Sequence, residues 1–195
     1  MTRVGLRYFV AILIIFGIVC TIASAKATMP IGSVPSSDQR LTIKSANEPQ
    51  AGELLYSDDF SDSGSGWKRS STSESTYAYQ DGRYHITASL PETNFYSYIP
   101  NNLIFNDFIV EVEVKAEDVP KNGGYGLALR KDSDSGDYYL FELSDGQFQF
   151  SLWKNAEWIT LVGWTNSSAI ETGKGSNNIK IIVQGDTFHW SSVKA

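Results

Sequence analysis

An alternation of apolar and polar residues between positions 108 and 153 constrains the fold of this chain more than any other feature. In its first segment Val110, Val112 and Val114 alternate with Glu111 and Glu113, which is the two-residue period of a strand with one buried face. Breaks rich in Asn, Asp, Ser and Gly separate three further strand-like segments, at residues 125–130, 138–143 and 147–153. Short strands joined by tight turns predict an antiparallel β-sheet.

The remainder of the chain repeats this pattern. Asp81-Gly82 lies between strand-like segments at residues 77–80 and 83–87 and is a dipeptide that suits a type I′ hairpin turn. Further strand-like segments lie at residues 53–57, 94–99, 158–164 and 178–184. About ten short strands without helical periodicity predict an all-β sandwich or barrel.

The N-terminal residues have the pattern of a targeting segment. Arg3 and Arg7 precede an apolar run at residues 8–22, and Ala23-Ser24-Ala25 follows it. We therefore predict a cleaved secretory signal at residues 1–25, with an uncleaved membrane anchor as the alternative. The run is shorter than the roughly 20 residues that span a bilayer, which favours cleavage. Residues 26–52 are rich in Ser, Thr, Ala and Pro and are predicted to be a flexible linker.

Cysteine content and charge limit the classes of partner. The single cysteine, Cys20, lies in the predicted signal, so the mature chain would contain no disulfide. The formal net charge is −6 and no basic cluster occurs, which argues against binding to nucleic acid or to an anionic membrane. We expect a secreted or cell-surface protein whose partner is a glycan or a cell-surface polymer, with membrane contact only through an uncleaved signal.

Several motifs resemble one family. The acidic loop at residues 58–62 followed by Gly66-Trp67, and Tyr79 and Tyr84 around the Asp81-Gly82 turn, resemble the start of laminin-G-like domains of the secreted bacterial and archaeal type. Residues 125–130, 137–141 and 158–164 continue the resemblance. These domains belong to the concanavalin-A-like lectin/glucanase superfamily. The resemblance implies a two-sheet antiparallel jelly-roll sandwich over residues 53–195, a fold that carries lectins, adhesion modules and glycosidases alike.

The resemblance ends before the end of the family pattern. Such domains continue beyond Gly185 with further strands, so this chain resembles a member that is truncated at its C-terminus. In the superfamily the first strand, here residues 54–60, pairs with a closing strand near the C-terminus. We therefore expect residues 54–60 to form an open edge of an incomplete sandwich, which would favour self-association.

Alternation also separates a dry face from a polar one. The residues predicted to face the core are Val110, Val112, Val114, Tyr125, Leu127, Leu129, Tyr139, Phe141, Leu143, Phe148, Phe150 and Leu152. Aromatic rings that stack on sugars, beside carboxylate, amide and guanidinium groups that bind hydroxyls, are typical of glycan recognition. The residues predicted to bind glycan on the polar face are Arg130, Tyr138, Glu142, Gln149 and Trp153. The alternative is a face that is covered by loops or merely solvated.

Two other candidate sites are weaker. Glu111 and Glu113 share one face of a strand, near the carboxylate spacing of retaining glycosidases. The glucanases of the resembled superfamily carry a further acid on such a strand, where this chain has Lys115 or Ala116, so catalysis at Glu111 and Glu113 is the alternative to binding.

The remaining candidate is a metal site. Asp58, Asp59 and Asp62 form an acidic loop at which calcium is the alternative to our expectation of no cofactor. Taken together, the sequence predicts a non-catalytic recognition module for glycan. A glycoside hydrolase of the same fold and a structural or adhesive domain that binds protein are the alternatives.

Overall fold

A computed structural model describes residues 8–15, 19–23, 41–45, 53–88, 94–117 and 123–194. Regular structure in this part of the chain is β-strand, apart from one 3-10 turn at Pro100–Asn102. The strands are β1 (Tyr8–Ile15), β2 (Val19–Ala23), β3 (Leu41–Ser45), β4 (Leu54–Asp58), β5 (Ser70–Ser71), β6 (Ser75–Gln80), β7 (Arg83–Ala88), β8 (Asn94–Tyr98), β9 (Phe108–Ala116), β10 (Tyr125–Asp132), β11 (Tyr138–Ser144), β12 (Gln147–Lys154), β13 (Glu157–Asn166), β14 (Ser176–Gln184) and β15 (Thr187–Lys194).

The strands form a six-stranded and a nine-stranded sheet, and the described pairs are antiparallel. The six-stranded sheet has the order β13-β12-β11-β10-β1-β8. The other has the order β15-β14-β9-β2-β7-β6-β5, and β3 joins β4 to β9. β2 and β3 lie end to end along one edge of β9, since β2 pairs with its C-terminal half and β3 with its N-terminal half. The predicted all-β antiparallel class is confirmed.

The two sheets share one hydrophobic core. Val110, Val112 and Val114 of β9 and Leu127 and Leu129 of β10 are buried in it, as the two-residue period predicted. Rings from both sheets meet there, because β15 of one sheet packs against β11 and β12 of the other. This packing fixes which face of the six-stranded sheet points away from the core.

Tight turns connect most neighbouring strands. Asp81 and Gly82 have φ values of 53° and 68°, both in the left-handed region that a type I′ turn requires. Asn155 and Ala156, between β12 and β13, have φ values of 52° and 62° although neither is glycine. Sequence alone gives no turn signal of comparable strength at that position.

Five strands occupy places where the sequence predicted none, and one of them is the two-residue β5. Leu41–Ser45, within the predicted linker, forms β3, and both Leu41 and Ile43 are fully buried. Thr187–Lys194 forms a hairpin with β14. β1 and β2 are formed by residues of the predicted signal segment, of which residues 1–7, 16–18, 24 and 25 lie outside the described residues. No helix among the described residues is long and apolar enough to cross a membrane.

The expected open edge at residues 54–60 has a partner on one side. β4 pairs with β3 along four residue positions, and among the described strands β3 is its only neighbour. Leu54 and Leu55 at the start of β4 are exposed. β4 is therefore an edge strand whose one neighbour comes from the segment that was predicted to be a linker.

Candidate functional site

The outer face of the six-stranded sheet carries an apolar cluster of its own. Ala128, Tyr138 and Leu140 are buried there, and Tyr96 and Trp153 pack against them. These side chains alternate along β10 and β11 with residues that face the core, so strand geometry places them on the opposite side of the sheet. We call this surface the outer face.

Two tryptophans at one end of the outer face form an aromatic platform. Trp153 of β12 and Trp158 of β13 lie directly opposite each other in the strand register, with ring centroids 5.0 Å apart. Trp158 also contacts Tyr138 edge to face, at 5.7 Å. Trp158 is 44% exposed, so its ring is available to a ligand. The Trp153 and Trp158 rings are tilted by 61° to each other, so each ring offers its own largely apolar surface with polar edges.

A buried carboxyl group lies in the same sheet. Glu142 of β11 and Gln149 of β12 are directly opposite in register, and the Gln149 amide donates a hydrogen bond to the Glu142 carboxylate. Glu142 is only 3% exposed. Burial raises the pKa of Glu142 to about 7, while the hydrogen bond from Gln149 acts in the opposite direction. The group is therefore poised to hold or release a proton near neutral pH.

Trp164 of β13 reaches the same place from the neighbouring strand. A Cβ atom at Gly124 would lie 3.2 Å from Glu142 Oε1 and 3.3 Å from Trp164 Cη2, so the carboxyl group and the indole ring both lie next to Gly124. Trp164 is 43% exposed. The outer face thus combines exposed rings with a carboxyl–amide pair.

Four of the five predicted glycan-binding residues lie on the outer face. Tyr138, Glu142, Gln149 and Trp153 belong to the neighbouring strands β11 and β12 and pair across them. Tyr138 is mostly buried, and burial raises the pKa of its hydroxyl to about 12, with a hydrogen bond from Asn94 opposing the shift. Trp153 does not lie between the two sheets, where its ring would have been inaccessible to a ligand.

Arg130 is not part of the outer face. Its φ of 52° lies beside a register irregularity between β1 and β10, which breaks the alternation that the sequence pattern assumed. Its guanidinium donates to the Asn106 carbonyl at 3.2 Å and to Asp107 Oδ1 at 3.4 Å, and lies 5.5 Å from the ring centroid of Phe188. Arg130 therefore joins the loop before β9 to the aromatic core.

Glu111 and Glu113 lie on β9 in the other sheet. Glu111 Oε1 accepts a hydrogen bond from Lys180 Nζ at 2.8 Å, and the two residues are paired in the strand register. Both side chains are substantially exposed, so the pair is a surface ion pair of small energetic weight. The arrangement does not distinguish these two acids as a reactive pair.

Asp58, Asp59 and Asp62 accept hydrogen bonds from nearby groups. Asp58 accepts from the Phe60 amide at 2.7 Å and from Trp67 Nε1 at 2.9 Å. Asp59 and Asp62 each accept from a backbone amide two residues later, as turn carboxylates commonly do. No group of three His, Cys, Asp or Glu side chains that could hold a metal ion occurs within the described ranges.

Several aromatic residues of the outer face were missed in the sequence. Trp158 follows Trp153 after a short turn, so a hairpin pairing of the two strands would have placed the rings opposite each other. Tyr96 and Tyr98 reach the sheet from β8, which joins it only through β1. No local pattern predicts such a distant pairing.

Searches against family models, curated proteins and solved structures found no match to this chain.

Proposed function

We propose that this chain is an exported or surface-displayed, non-catalytic module that binds glycan on the outer face. The observation that carries this proposal is the aromatic platform of Trp153, Trp158 and Tyr138, in the same sheet as the Glu142–Gln149 pair. The apolar N-terminal run after two arginines supports export.

The chemistry of the outer face suits a saccharide. The C–H faces of a pyranose stack on aromatic rings, and the exposed rings of Trp158 and Trp164 can contribute such contacts. Sugar hydroxyls need fixed donors and acceptors, which the Glu142 carboxyl and the Gln149 amide can provide at the floor of the face. The chain has a formal net charge of −6 and no basic cluster, which disfavours nucleic acid as the ligand.

We further propose that the fold is a laminin-G-like jelly roll. The motif residues on which the resemblance rests converge in space, because Trp67 Nε1 donates to Asp58 Oδ2 at 2.9 Å and the Trp67 ring lies 5.3 Å from that of Tyr84. The meander from β10 to β13 and the core between two sheets also support this fold. Asp58 thereby has a structural role, because it holds the Trp67 indole.

Glycan-array screening followed by titration calorimetry tests the binding function. We expect the full chain to bind at least one glycan, and Trp158→Ala to weaken that binding about fivefold, because loss of a stacking ring costs about 1 kcal/mol. Trp153→Ala is expected to act in the same direction. Leu54→Ala removes another exposed apolar side chain, from the other sheet, and serves as the matched control that should bind normally.

Two results would contradict the proposal. Uniform failure to bind glycans would favour the adhesive alternative, which has its own supporting observation. β13 is an edge strand on which Ile159 and Leu161 are 45% and 47% exposed, and such edges favour protein contact. Hydrolysis of a β-glucan that disappears in Glu111→Gln would instead indicate an enzyme.

A further inference from the structure

A cavity of about 530 Å³ lies at the opposite end of the outer face from β13. It opens between β8, β6 and the loop that contains Gly66. The residues that matter for its chemistry are Lys68, Tyr77, Asn94, Tyr96, Tyr98 and Asn101. Its volume is within the range of small-molecule sites in proteins, and its lining is a mixture of phenol rings, amides and one ammonium group.

The cavity is continuous with the apolar cluster of the outer face. Tyr96 lines the cavity and also packs against the cluster of Ala128, Tyr138 and Leu140. Asn94, another lining residue, makes a hydrogen bond with the Tyr138 side chain. A polymer that lies on the aromatic platform and extends along the sheet therefore reaches this cavity.

Lys68 lines the cavity, and Lys131 lies beside two of its lining rings, so this end of the outer face has a positive character. Lys68 Nζ lies 3.8 Å from the ring centroid of Tyr77. Lys131 Nζ lies 4.9 Å and 5.0 Å from the ring centroids of Tyr96 and Tyr98 and donates a hydrogen bond to the Tyr98 hydroxyl. Among the residues that the structure describes, no Asp or Glu lines the cavity and neither lysine forms a salt bridge.

This local charge is opposite to that of the whole chain. The formal net charge is −6, so an ammonium group in the cavity lining and a second beside it, with no carboxylate among the described lining residues, are a local exception. Each ammonium group is held over phenol rings by cation–π attraction, which leaves N–H donors to bind an anion. Tyrosine rings and asparagine amides add the stacking surface and the hydroxyl partners that a sugar ring needs.

We propose that this cavity is a subsite for an acidic pyranose, a sugar ring that carries a carboxylate group. Lys68 binds the carboxylate, and Lys131 adds a second positive charge beside Tyr96 and Tyr98. The rings of Tyr96 and Tyr98 contact the sugar, and the Asn94 and Asn101 amides bind hydroxyls. The inference rests on the proposed function and narrows its ligand class, because the same glycan would occupy both the aromatic platform and this subsite.

Matched pairs of glycans test the subsite. The probes are uronic acid oligosaccharides and their carboxyl-reduced counterparts, which differ only in the replacement of each carboxylate by a neutral hydroxymethyl group. We expect the full chain to bind the acidic member about fivefold more tightly, as two partly exposed charge pairs would give. This preference should shrink as salt is added, because exposed charges are screened.

Variants identify the groups responsible. Lys68→Met/Lys131→Met keeps the length of both side chains and removes their charge, so we expect it to bind both members with the affinity of the neutral one. Lys174→Met, an exposed lysine in the loop before β14, is the control for loss of a positive charge and should keep the preference. Thermal melting of each variant checks that the fold is intact.

The outcomes separate the two proposals. A preference for acidic glycans that survives in the double variant, or equal binding of both members by the unmodified chain, would overturn the subsite. The general function would stand in either case if Trp158→Ala still weakened binding to both members. Failure of every matched pair to bind would overturn the subsite, whereas the general function falls only if no glycan on the array binds.

Discussion

At the scale of single residues, the Glu142 carboxyl makes a specific prediction about pH. Its pKa is raised by burial from an ordinary value of 4.5 to about 7, so the folded protein holds this proton more tightly than the unfolded chain does. The free energy of unfolding that this bound proton contributes is fully present below about pH 4.5 and is lost as the pH rises to about 7. The total loss is about 3 kcal/mol.

Replacement of this carboxyl by an amide should remove the pH dependence. We expect Glu142→Gln to be more stable than the unmodified chain at about pH 8, by up to about 3 kcal/mol, and similar to it at about pH 5. Urea unfolding at both pH values measures this difference. Glu157→Gln, at the exposed start of β13, reports the effect of losing a negative charge from the surface. Identical stability of Glu142→Gln and the unmodified chain at the higher pH would show that Glu142 is not desolvated.

Single residues also show where sequence reasoning about the site succeeds. Tyr138, Glu142, Gln149 and Trp153 were placed on one face by alternation alone, and the strand register brings them together. Arg130 was placed there by the same rule, but its positive φ turns its side chain toward Asp107. Alternation predicts a face only while the strand stays regular, and nothing in the residues around Arg130 marks the irregularity.

At the scale of strands, β10 and β11 approach so closely that one position requires glycine. A Cβ atom at Gly126 would lie 2.0 Å from the Phe141 carbonyl oxygen and 3.0 Å from Glu142 Cα. These are backbone atoms, so an alanine can fit only if the strands move apart. We expect Gly126→Ala to lower the free energy of unfolding by about 3 kcal/mol, the upper part of the range for overpacking.

Gly163 provides a matched control in β13. A Cβ atom there would meet nothing within 4 Å, so Gly163→Ala should change the free energy of unfolding by less than about 1 kcal/mol. Chemical denaturation of the two variants measures the difference. Gly126→Ala also displaces the strand that holds Glu142, so its glycan affinity should fall along with its stability. Equal stability of the two variants would contradict the close approach of β10 and β11.

Strands were predictable where the sequence alternates and is bounded by turn residues. The ten segments found in this way are all strands in the structure. β3 was missed because its two buried residues, Leu41 and Ile43, lie among Ser and Pro residues that are typical of a linker. Its burial depends on pairing with β9, which is distant in the chain. β15 was missed because its apolar residues, Phe188 and Trp190, are too few to establish a period.

At the scale of the whole molecule, the two N-terminal strands connect parts of both sheets. β1 is the described link between β8 and β10, and β2 links β7 to β9. β8 and β10 are each antiparallel to β1, so they run parallel to each other, and the same holds for β7 and β9. If β1 and β2 were removed, β8 and β10 would be parallel neighbours, and so would β7 and β9. These strands could not form the antiparallel pairs that the rest of the structure contains.

Deletion of residues 1–25 tests this arrangement. We expect the shortened chain to unfold at a lower denaturant concentration than the full chain and to self-associate, because four strand edges would lose their partners and exposed edges recruit other chains. Size-exclusion chromatography with light scattering measures the association, and denaturation followed by circular dichroism measures the stability. The same deletion is the mature form that the predicted signal peptidase site would produce, so mass spectrometry of the exported protein shows which form exists outside the cell. A shortened chain that is monomeric and melts cooperatively at the temperature of the full chain would show that β1 and β2 are dispensable to the fold.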